Sequence, residues 1–456
     1  MRRRCCVVLL VFSVSAAYGA TYTVGASGTH ATVQDAIDAA LAAPGTDEIR
    51  VAEGTYYEHL DFTPNGSGNI LHISGGWNAG FAAQGDMPSV IDGSDSGRVF
   101  DIYLNTGDGL TLSRLRIQNG NANPAAGLLI DQFGDSFMVI DACEIVDNTA
   151  DDDRAESGGL RVWANQSAAF TLTDSTVSNN QALCSGIIDC REGGMGLQAA
   201  NSAQVEVSRN LFAGNSVSIA SGSVLAGGAS LIVYDSATLL LEDNRFIGNT
   251  VSGTSAGGTG VGLGLSGDGT KTARRNRIEN NTAALPNPGV VPQLSLFQGG
   301  DSASTLSDTV VVNSNTKGIV AITFGDGSAT LHLTNLTVAD HAHTGLQADK
   351  NAAGGALNFS NSIAANNGTD VSFSGAVTTT ANLVGGAAGF VDAPGGDYSL
   401  AEGSDAINAG TNAPPGGLGP TDIDGNARIS GGTVDQGAFE FLSDTVFADS
   451  FESGGG

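Results

Sequence analysis

Short runs in which apolar and polar residues alternate recur along most of the chain. Examples are AFTLTDS at 169–175, AQVEVSR at 203–209 and ATLLLED at 237–243, each followed by residues that favour turns. Alternation with a period of two is typical of a β-strand that buries one face. The pattern therefore predicts many strands of three to five residues, separated by sharp turns.

A second pattern repeats on a longer scale. An apolar residue, two spacers and an asparagine recur at intervals of 29 to 35 residues, with Asn119 as a weaker first copy. The five clear asparagines are Asn148, Asn180, Asn215, Asn249 and Asn281. Gly-Gly pairs precede an apolar run between the copies, as at Gly158, Gly193 and Gly227. One unit of about 26 to 35 residues thus holds three short strands and no helix.

A unit of three short strands cannot bury its apolar face alone, but stacked units can. The sequence therefore predicts an all-β fold, a single-stranded parallel β-helix with three short strands per coil and the right-handed connection that parallel crossovers prefer. We expect each repeated asparagine to adopt the left-handed conformation at a corner and to hydrogen-bond along a column. The apolar residues three positions earlier should stack in the core; they are Ile145, Val177, Phe212, Phe246 and Ile278.

The ends of such a solenoid need cover, because open coils expose strand edges. THATVQDAIDAALAA at 29–43 places its apolar residues on one helical face, with Thr32 or Thr29 as the N-cap. This segment predicts an N-terminal capping helix.

Composition and charge exclude several classes of protein. Glycine contributes 65 residues without a three-residue period, and 41% of the residues are hydrophobic, which argues against collagen and against disorder. With 47 acidic and 19 basic residues the net charge is −28, so we expect no binding to nucleic acid. No apolar run after residue 20 is long enough for a transmembrane helix. We expect a monomer.

The first 19 residues have the basic start, apolar run and small residues of a secretory signal peptide. This predicts export to the exterior or the outer surface of a bacterium. Cys143, Cys184 and Cys190 remain after cleavage, and export favours disulfides. Cys184 and Cys190 flank a short loop and are the expected pair, which leaves Cys143 as a buried free thiol.

Several segments carry a resemblance to known families. TVQDAIDAA followed by EIRVAEGTYYEHLDF resembles the N-terminal cap and first coil of the pectin-lyase-like superfamily. The alternation of the Asn and Gly-Gly motifs is similar to the repeats of polymorphic outer-membrane proteins. GFVDAPGGDYSLAEGSDAINAG and TDIDGNARISGGTVDQGAFEF look like the C-terminal domain called choice-of-anchor Q. Together with the leader and the repeats, these resemblances divide the chain into four parts. They are a signal peptide at 1–19, a right-handed parallel β-helix with its N-terminal helical cap at 20–380, a choice-of-anchor Q-like cap at 381–441 and a flexible acidic tail at 442–456.

The pectin-lyase-like resemblance raises the question of polysaccharide chemistry. No histidine is followed by glycine, and no pair of carboxylates stands in a polygalacturonase-like context. Asp151, Asp152 and Asp153 form the densest acidic run and are weak candidates for calcium ligands, although a solvated loop is the other interpretation. Arg161 is the basic residue to examine, and Trp163 is a candidate for stacking on sugars.

Two functions follow as expectations. The first is a non-catalytic surface or secreted protein that binds polysaccharide or another surface partner along the flank of the solenoid, without a catalytic residue or cofactor. The alternative is a calcium-dependent, pectate-lyase-like enzyme with an atypical site.

Overall fold

The structure is a computed structural model that describes residues 19–442 except 187–189, 221, 254 and 326. The predicted signal peptide, apart from Gly19, and the predicted tail after Leu442 lie outside the described residues.

Three long parallel sheets, which we call sheets A, B and C, run along the described chain. Sheet A has thirteen strands: Thr21–Val24, Thr46–Ala52, Ile70–Trp77, Gly109–Ser113, Phe137–Asp141, Ala169–Thr173, Gln204–Ser208, Thr238–Glu242, Lys271–Arg274, Ala303–Ser307, Thr330–Thr334, Ala356–Ser360 and Val377–Thr380. Sheet B has twelve: Thr55–Tyr57, Ser89–Asp92, Leu115–Gln118, Glu144–Val146, Thr176–Ser178, Leu211–Ala213, Arg245–Ile247, Arg277–Glu279, Val310–Ser314, Thr337–His341, Ile363–Ala365 and Leu383–Val384. Sheet C has eleven: Leu60–Phe62, Phe100–Leu104, Leu128–Gln132, Leu160–Ala164, Met195–Ala199, Ala229–Val233, Val261–Leu265, Pro292–Gln298, Lys317–Thr323, Thr344–Lys350 and Thr369–Ser374.

The chain visits the sheets in the order B, C and A, and each strand pairs in parallel with its counterpart one coil away. Side chains at equivalent positions therefore stack along the axis at the spacing of neighbouring strands, about 4.8 Å. The rings of Phe212 and Phe246 lie face to face, with centroids 4.7 Å apart. All five predicted core residues are buried, which confirms that prediction. The fold is the predicted right-handed parallel β-helix.

Five coils contain more than the predicted three strands. Sheet D lies between sheets B and C and comprises Thr149–Asp152, Gln181–Cys184, Ser216–Ile219, Thr250–Ser252 and Thr282–Ala284. Sheet E follows it in three coils and comprises Cys190–Glu192, Ser223–Ala226 and Ser255–Gly258. These strands enclose a second small apolar core that contains Ala150, Ala182, Val217 and Val251. The expectation of a loop at Asp151 was wrong, because Thr149–Asp152 pairs in register with the next coil.

The N-terminal helix spans Val33–Leu41 and buries Val33, Ala36, Ile37 and Ala40 against the first coil. Thr32 is its N-cap and accepts a hydrogen bond from the amide of Asp35 at 3.1 Å. The carboxylate of Glu58 accepts two further amides of the first turn, from Val33 at 2.8 Å and Gln34 at 2.9 Å. The first-turn amides of the helix thus find acceptors in the side chains of Thr32, before the helix, and Glu58, in the first coil.

Residues 385–442 pack on the outer face of sheet B. They include the 3-10 turn Ala393–Gly395 and an antiparallel pair, Phe390–Asp392 with Asp397–Leu400; a second 3-10 turn, Pro288–Val290, lies earlier in the solenoid. Tyr398, Ala438 and Phe439 cover Val310, Val312 and Ala339. The fully buried Arg428 pairs with Asp308 at 3.4 Å and Glu440 at 3.8 Å.

Parallel pairing continues past residue 380, because Leu383–Val384 is the last strand of sheet B. The boundary between the β-helix and the C-terminal cap, which the sequence analysis places between residues 380 and 381, stays a prediction. The described residues hold no helix with the length and hydrophobicity needed to cross a bilayer.

Candidate functional site

The repeated asparagines form a continuous hydrogen-bonded ladder inside the solenoid. The Nδ2 of Asn148 donates to Oδ1 of Asn180 at 2.9 Å, and the same bond links Asn180, Asn215, Asn249 and Asn281 in turn at 2.9 to 3.0 Å. Asn281 donates to Oε1 of Gln293 at 2.9 Å. All five asparagines are fully buried. Each side chain thus links two coils.

The conformation expected for these asparagines was wrong. The left-handed residue is the one before each of them: Asp147, Asn179, Gly214, Gly248 and Asn280, with φ between 56° and 65°. Asn119 has φ 54° and belongs to this exposed corner, while Gly120 stands at the ladder position and donates its N–H to Asn148. The turn residue leaves the ladder asparagine free to point inward.

Sequence reasoning missed a second ladder at another corner. Asn210, Asn244 and Asn276 are buried, and the Nδ2 of each of the first two donates to the next asparagine at 3.0 to 3.1 Å. The signal was present, because an asparagine stands two residues before Phe212, Phe246 and Ile278. Both ladders hold the coils together and leave these side chains no free groups for a ligand.

Cys184 and Cys190 form a disulfide with their Cα atoms 5.9 Å apart, which joins a strand of sheet D to a strand of sheet E. Cys143 is a free, buried thiol. Burial raises the pKa of this thiol to about 12, so it is a poor nucleophile in the folded protein.

The three candidate calcium ligands lie on the surface and do not converge. Asp152 accepts from Nδ2 of Asn123 at 3.0 Å, and Asp153 accepts from Oγ of Ser185 at 2.9 Å. Within the described residues no group of three or more His, Cys, Asp or Glu side chains could hold a metal ion. Calcium binding by this acidic run stays a prediction.

A row of aromatic and polar side chains crosses the outer face of sheet C, one from each successive coil. We call this row the outer column; it comprises Tyr103, Asp131, Trp163, Gln198, Ile232, Gly264 and Phe297. Trp163 lies between Asp131 and Gln198, and Tyr103 and Phe297 are each 38% exposed. Phe133 packs on Tyr103 with ring centroids 5.6 Å apart.

A cluster of charged residues lies beside the outer column. Arg161, next to Trp163 in its strand, forms an ion pair with Glu156, and Arg191 lies 3.5 Å from the same carboxylate. Glu192 is buried and accepts a hydrogen bond from Ser157 at 3.1 Å. Burial raises the pKa of Glu192 to about 7, against the opposing effect of Arg191. This carboxyl group therefore titrates near neutral pH.

Asp131, in the outer column itself, is shifted in the same direction. Burial is the main cause of its raised pKa, and the nearby Arg161 opposes this effect while Asp101 adds to it. Carboxylates and guanidinium groups thus share one partly buried strip of the sheet C face, where their interactions are stronger than in open solvent.

Glycine at position 196 allows sheet E to lie close to sheet C. A Cβ atom at Gly196 would stand 2.6 Å from Oε2 of Glu192 and 2.5 Å from Oγ of Ser157. The outward positions Gly196, Ser230 and Gly262 are all buried, whereas Trp163 and Gln198 keep partial exposure. Sheet E therefore forms a ridge beside the part of the outer column that holds Gln198, Ile232 and Gly264.

The comparisons with known proteins are consistent with this architecture. The model of the family described as "Right handed beta helix region" matches residues 72–326, more than half of the chain. Among solved structures, the chain is similar to the crystal structure of the pectin methylesterase from Aspergillus niger in deglycosylated form. The two are 12% identical over 73% of this chain and 86% of that one, with a TM-score of 0.31, too low to support an argument. No curated protein matches the chain. By its family match, the chain belongs to the right-handed β-helix proteins.

Proposed function

We propose that the protein binds a polysaccharide along the outer face of sheet C. The observation that carries this proposal is the outer column. In it Asp131 separates Tyr103 from Trp163, and Trp163 is followed by Gln198, Ile232, Gly264 and Phe297. Aromatic rings offer a flat apolar surface, and the side chains between them offer hydrogen bonds, a combination that suits a sugar ring with its hydroxyl groups. The ridge of sheet E supplies one wall.

The regular spacing of the column favours a polymer over a small ligand. Neighbouring positions are one strand apart, about 4.8 Å, so the row from Tyr103 to Phe297 extends over six such steps, or about 29 Å. A rigid solenoid offers this row without rearrangement, which reduces the entropic cost of binding.

Charge narrows the class of polysaccharide. The chain carries a net charge of −28, and the cations beside the column, Arg161 and Arg191, are already paired with Glu156. A polyanion would meet repulsion over most of the surface. We therefore expect a neutral polysaccharide to bind more tightly than an acidic one.

The experiment is a retention assay on a panel of neutral and acidic polysaccharides. Trp163→Ala should weaken binding to the retained polymer by about tenfold or more, equivalent to about 1.4 kcal/mol. Tyr57→Ala is the matched control, because Tyr57 is 73% exposed but belongs to sheet B. Retention by no polysaccharide, or equal losses in the two variants, would overturn the proposal.

A catalytic function on the same face is the second candidate. Glu192 is a buried carboxyl group with a pKa near 7, and it lies close to Arg161 beside the outer column. A carboxyl group with this pKa suits proton transfer at neutral pH once a substrate reaches it. A calcium-dependent lyase would release unsaturated oligosaccharides in the presence of calcium and none in the presence of a chelator. The same panel, read by mass spectrometry, separates this activity from binding alone.

Export to the cell exterior is part of the same proposal. It rests on the leader-like residues 1–19 and on the resemblance of the C-terminal segment to an anchor-type domain. N-terminal sequencing of the protein recovered from outside the producing cell should begin at residue 20, and recovery of uncleaved protein from the cytoplasm alone would contradict export.

A further inference from the structure

A serine and a histidine from successive coils meet at the corner between sheets B and C. Ser96 lies in the turn after strand Ser89–Asp92, and His59 precedes strand Leu60–Phe62 of the coil before. The Oγ of Ser96 is 3.2 Å from Nε2 of His59, and Nδ1 of the same ring is 2.7 Å from the carbonyl oxygen of Arg98. Both side chains are exposed.

The carbonyl contact determines which ring nitrogen carries the proton. A carbonyl oxygen can only accept, so Nδ1 must be the protonated nitrogen of the neutral imidazole. Nε2 then presents its lone pair to the hydroxyl of Ser96, whose single proton also lies within reach of the carbonyl oxygen of Gly93, 3.1 Å from Oγ. A histidine held in this tautomer by a group on Nδ1 is the arrangement that lets Nε2 act as a base toward a serine hydroxyl.

The turn that carries Ser96 is strained immediately before the serine. Ser94 and Asp95 have φ values of 54° and 52°, and this left-handed conformation is unfavourable for the serine but tolerated by the aspartate. Gly97 follows, and a Cβ atom there would stand 2.9 Å from Cε1 of His59. Glycine at 97 thus lets the ring approach the turn.

Two main-chain donors directly follow the serine. In the described part of the chain the N–H groups of Gly97 and Arg98 donate to no protein acceptor, while that of Ser96 is bonded to Gly93 at 3.1 Å. The Arg98 guanidinium is occupied, because it pairs with Asp101 and donates to the carbonyl of Ala125 at 3.0 Å. These two N–H groups therefore have no acceptor among the described residues that competes with an anionic oxygen next to Ser96.

We propose that Ser96 and His59 are a nucleophile and a base that hydrolyse esters of short acyl groups. The Oγ of Ser96 forms a bond to the ester carbonyl carbon while Nε2 of His59 takes its proton. The bond to the alkoxy oxygen breaks, and His59 returns the proton to the leaving alcohol. Water then repeats the sequence on the acyl-serine, releasing the carboxylic acid and restoring Ser96.

Exposure and polarity of the site set the substrate class. Ser94, Asp95 and Ser96 are all exposed, and the side chain of Arg98 is held in place by Asp101. These surroundings suit a short acyl group better than a long apolar chain, which would gain no burial there. The assignment does not depend on polysaccharide binding, because Ser96 and His59 lie outside the outer column.

The first test uses the full chain from residue 20 with a fluorophosphonate probe and with p-nitrophenyl acetate. Tandem mass spectrometry should place the phosphonate on Ser96 and not on Ser94 of the same peptide. Hydrolysis of p-nitrophenyl acetate should exceed the rate in buffer alone. Both Ser96→Ala and His59→Ala should lower the rate by at least about 100-fold.

Further variants separate catalysis from a structural role of the pair. Ser94→Asn tolerates the left-handed backbone at 94 and should keep the rate. His59→Gln, an amide that can still hydrogen-bond across the turn, should abolish hydrolysis while the far-UV circular dichroism stays unchanged. Absence of labelling at Ser96 in the folded protein, or an unchanged rate in folded Ser96→Ala, would overturn the proposal.

Discussion

Replacing Asn215 by alanine tests whether the asparagine ladder stabilises the solenoid. Oδ1 of Asn215 accepts from the amide of Asn180 at 3.1 Å and from its Nδ2 at 3.0 Å. Its own Nδ2 donates to the carbonyl of Val177 at 2.9 Å and to Oδ1 of Asn249 at 3.0 Å. The substitution therefore removes four hydrogen bonds whose partners are all buried.

The expected loss of stability follows from these four partners. A hydrogen bond in a folded protein contributes about 1 kcal/mol net, and a buried group left unpaired costs about 1–3 kcal/mol. At about 1 kcal/mol for each of the four hydrogen bonds, Asn215→Ala should lower the free energy of unfolding by about 4 kcal/mol, because the neighbouring coils exclude water from the unpaired groups. Asn201→Gly is the matched control, since Asn201 is exposed with φ 58° and glycine keeps that backbone conformation.

Hydrogen exchange is the appropriate assay, because a solenoid can unfold in parts and need not obey a two-state transition. The amide of Asn180, which donates to Asn215, should lose protection by about 1,000-fold in Asn215→Ala, equivalent to about 4 kcal/mol. Amides near Asn201 should change by less than tenfold in the control. A loss below about 1 kcal/mol in Asn215→Ala would refute the reasoning.

Three further predictions concern titratable groups and the disulfide. Because burial raises the Cys143 pKa to about 12, iodoacetamide at pH 8 should leave the native thiol unmodified and alkylate it only after unfolding; alkylation of the native protein would show that the site is open. Reduction of the Cys184–Cys190 bond should lower the stability of sheets D and E by about 2 kcal/mol, read by local hydrogen exchange, and an effect on sheet A instead would be inconsistent with its position. Burial raises the pKa of Glu440 to about 7. Between about pH 4.3 and 7 the native state therefore holds a proton that the unfolded chain has released. The free energy of unfolding should fall as the pH rises through this range. Denaturant titrations should show a weaker pH dependence in Glu440→Gln, and an unchanged dependence would exclude Glu440 as its source.

The sequence predicted the solenoid because its core positions are periodic. Residues such as Ile145 and Phe212 recur at a fixed place in each coil, and stacking identical positions is what makes them a core. The same periodicity marked Asn148 and its counterparts. The periodicity could not show which of two neighbouring residues adopts the left-handed conformation. Asp147, Asn179 and Asn280, which directly precede ladder asparagines, are as typical of turns as the asparagines themselves.

The candidate sites were harder to predict, because they depend on contacts between coils of unequal length. Asp151 was expected in a loop, yet its strand exists because the next coil supplies a partner in register. His59 and Ser96 are 37 residues apart and meet only through stacking of two coils. The position of Glu192 over Gly196 likewise depends on how sheet E folds back on sheet C. No local motif in the sequence encodes these placements.

Hydroxyl-radical footprinting with a bound polysaccharide would test the proposed binding face most directly. The account predicts that Tyr103, Trp163 and Phe297 become protected from oxidation, because all three belong to the outer column on sheet C. Tyr57 and Met87, which are 73% and 67% exposed and lie outside that column, should be oxidised at the same rate with and without the polymer. Protection of Tyr57 or Met87 with no change at Trp163 would contradict the account.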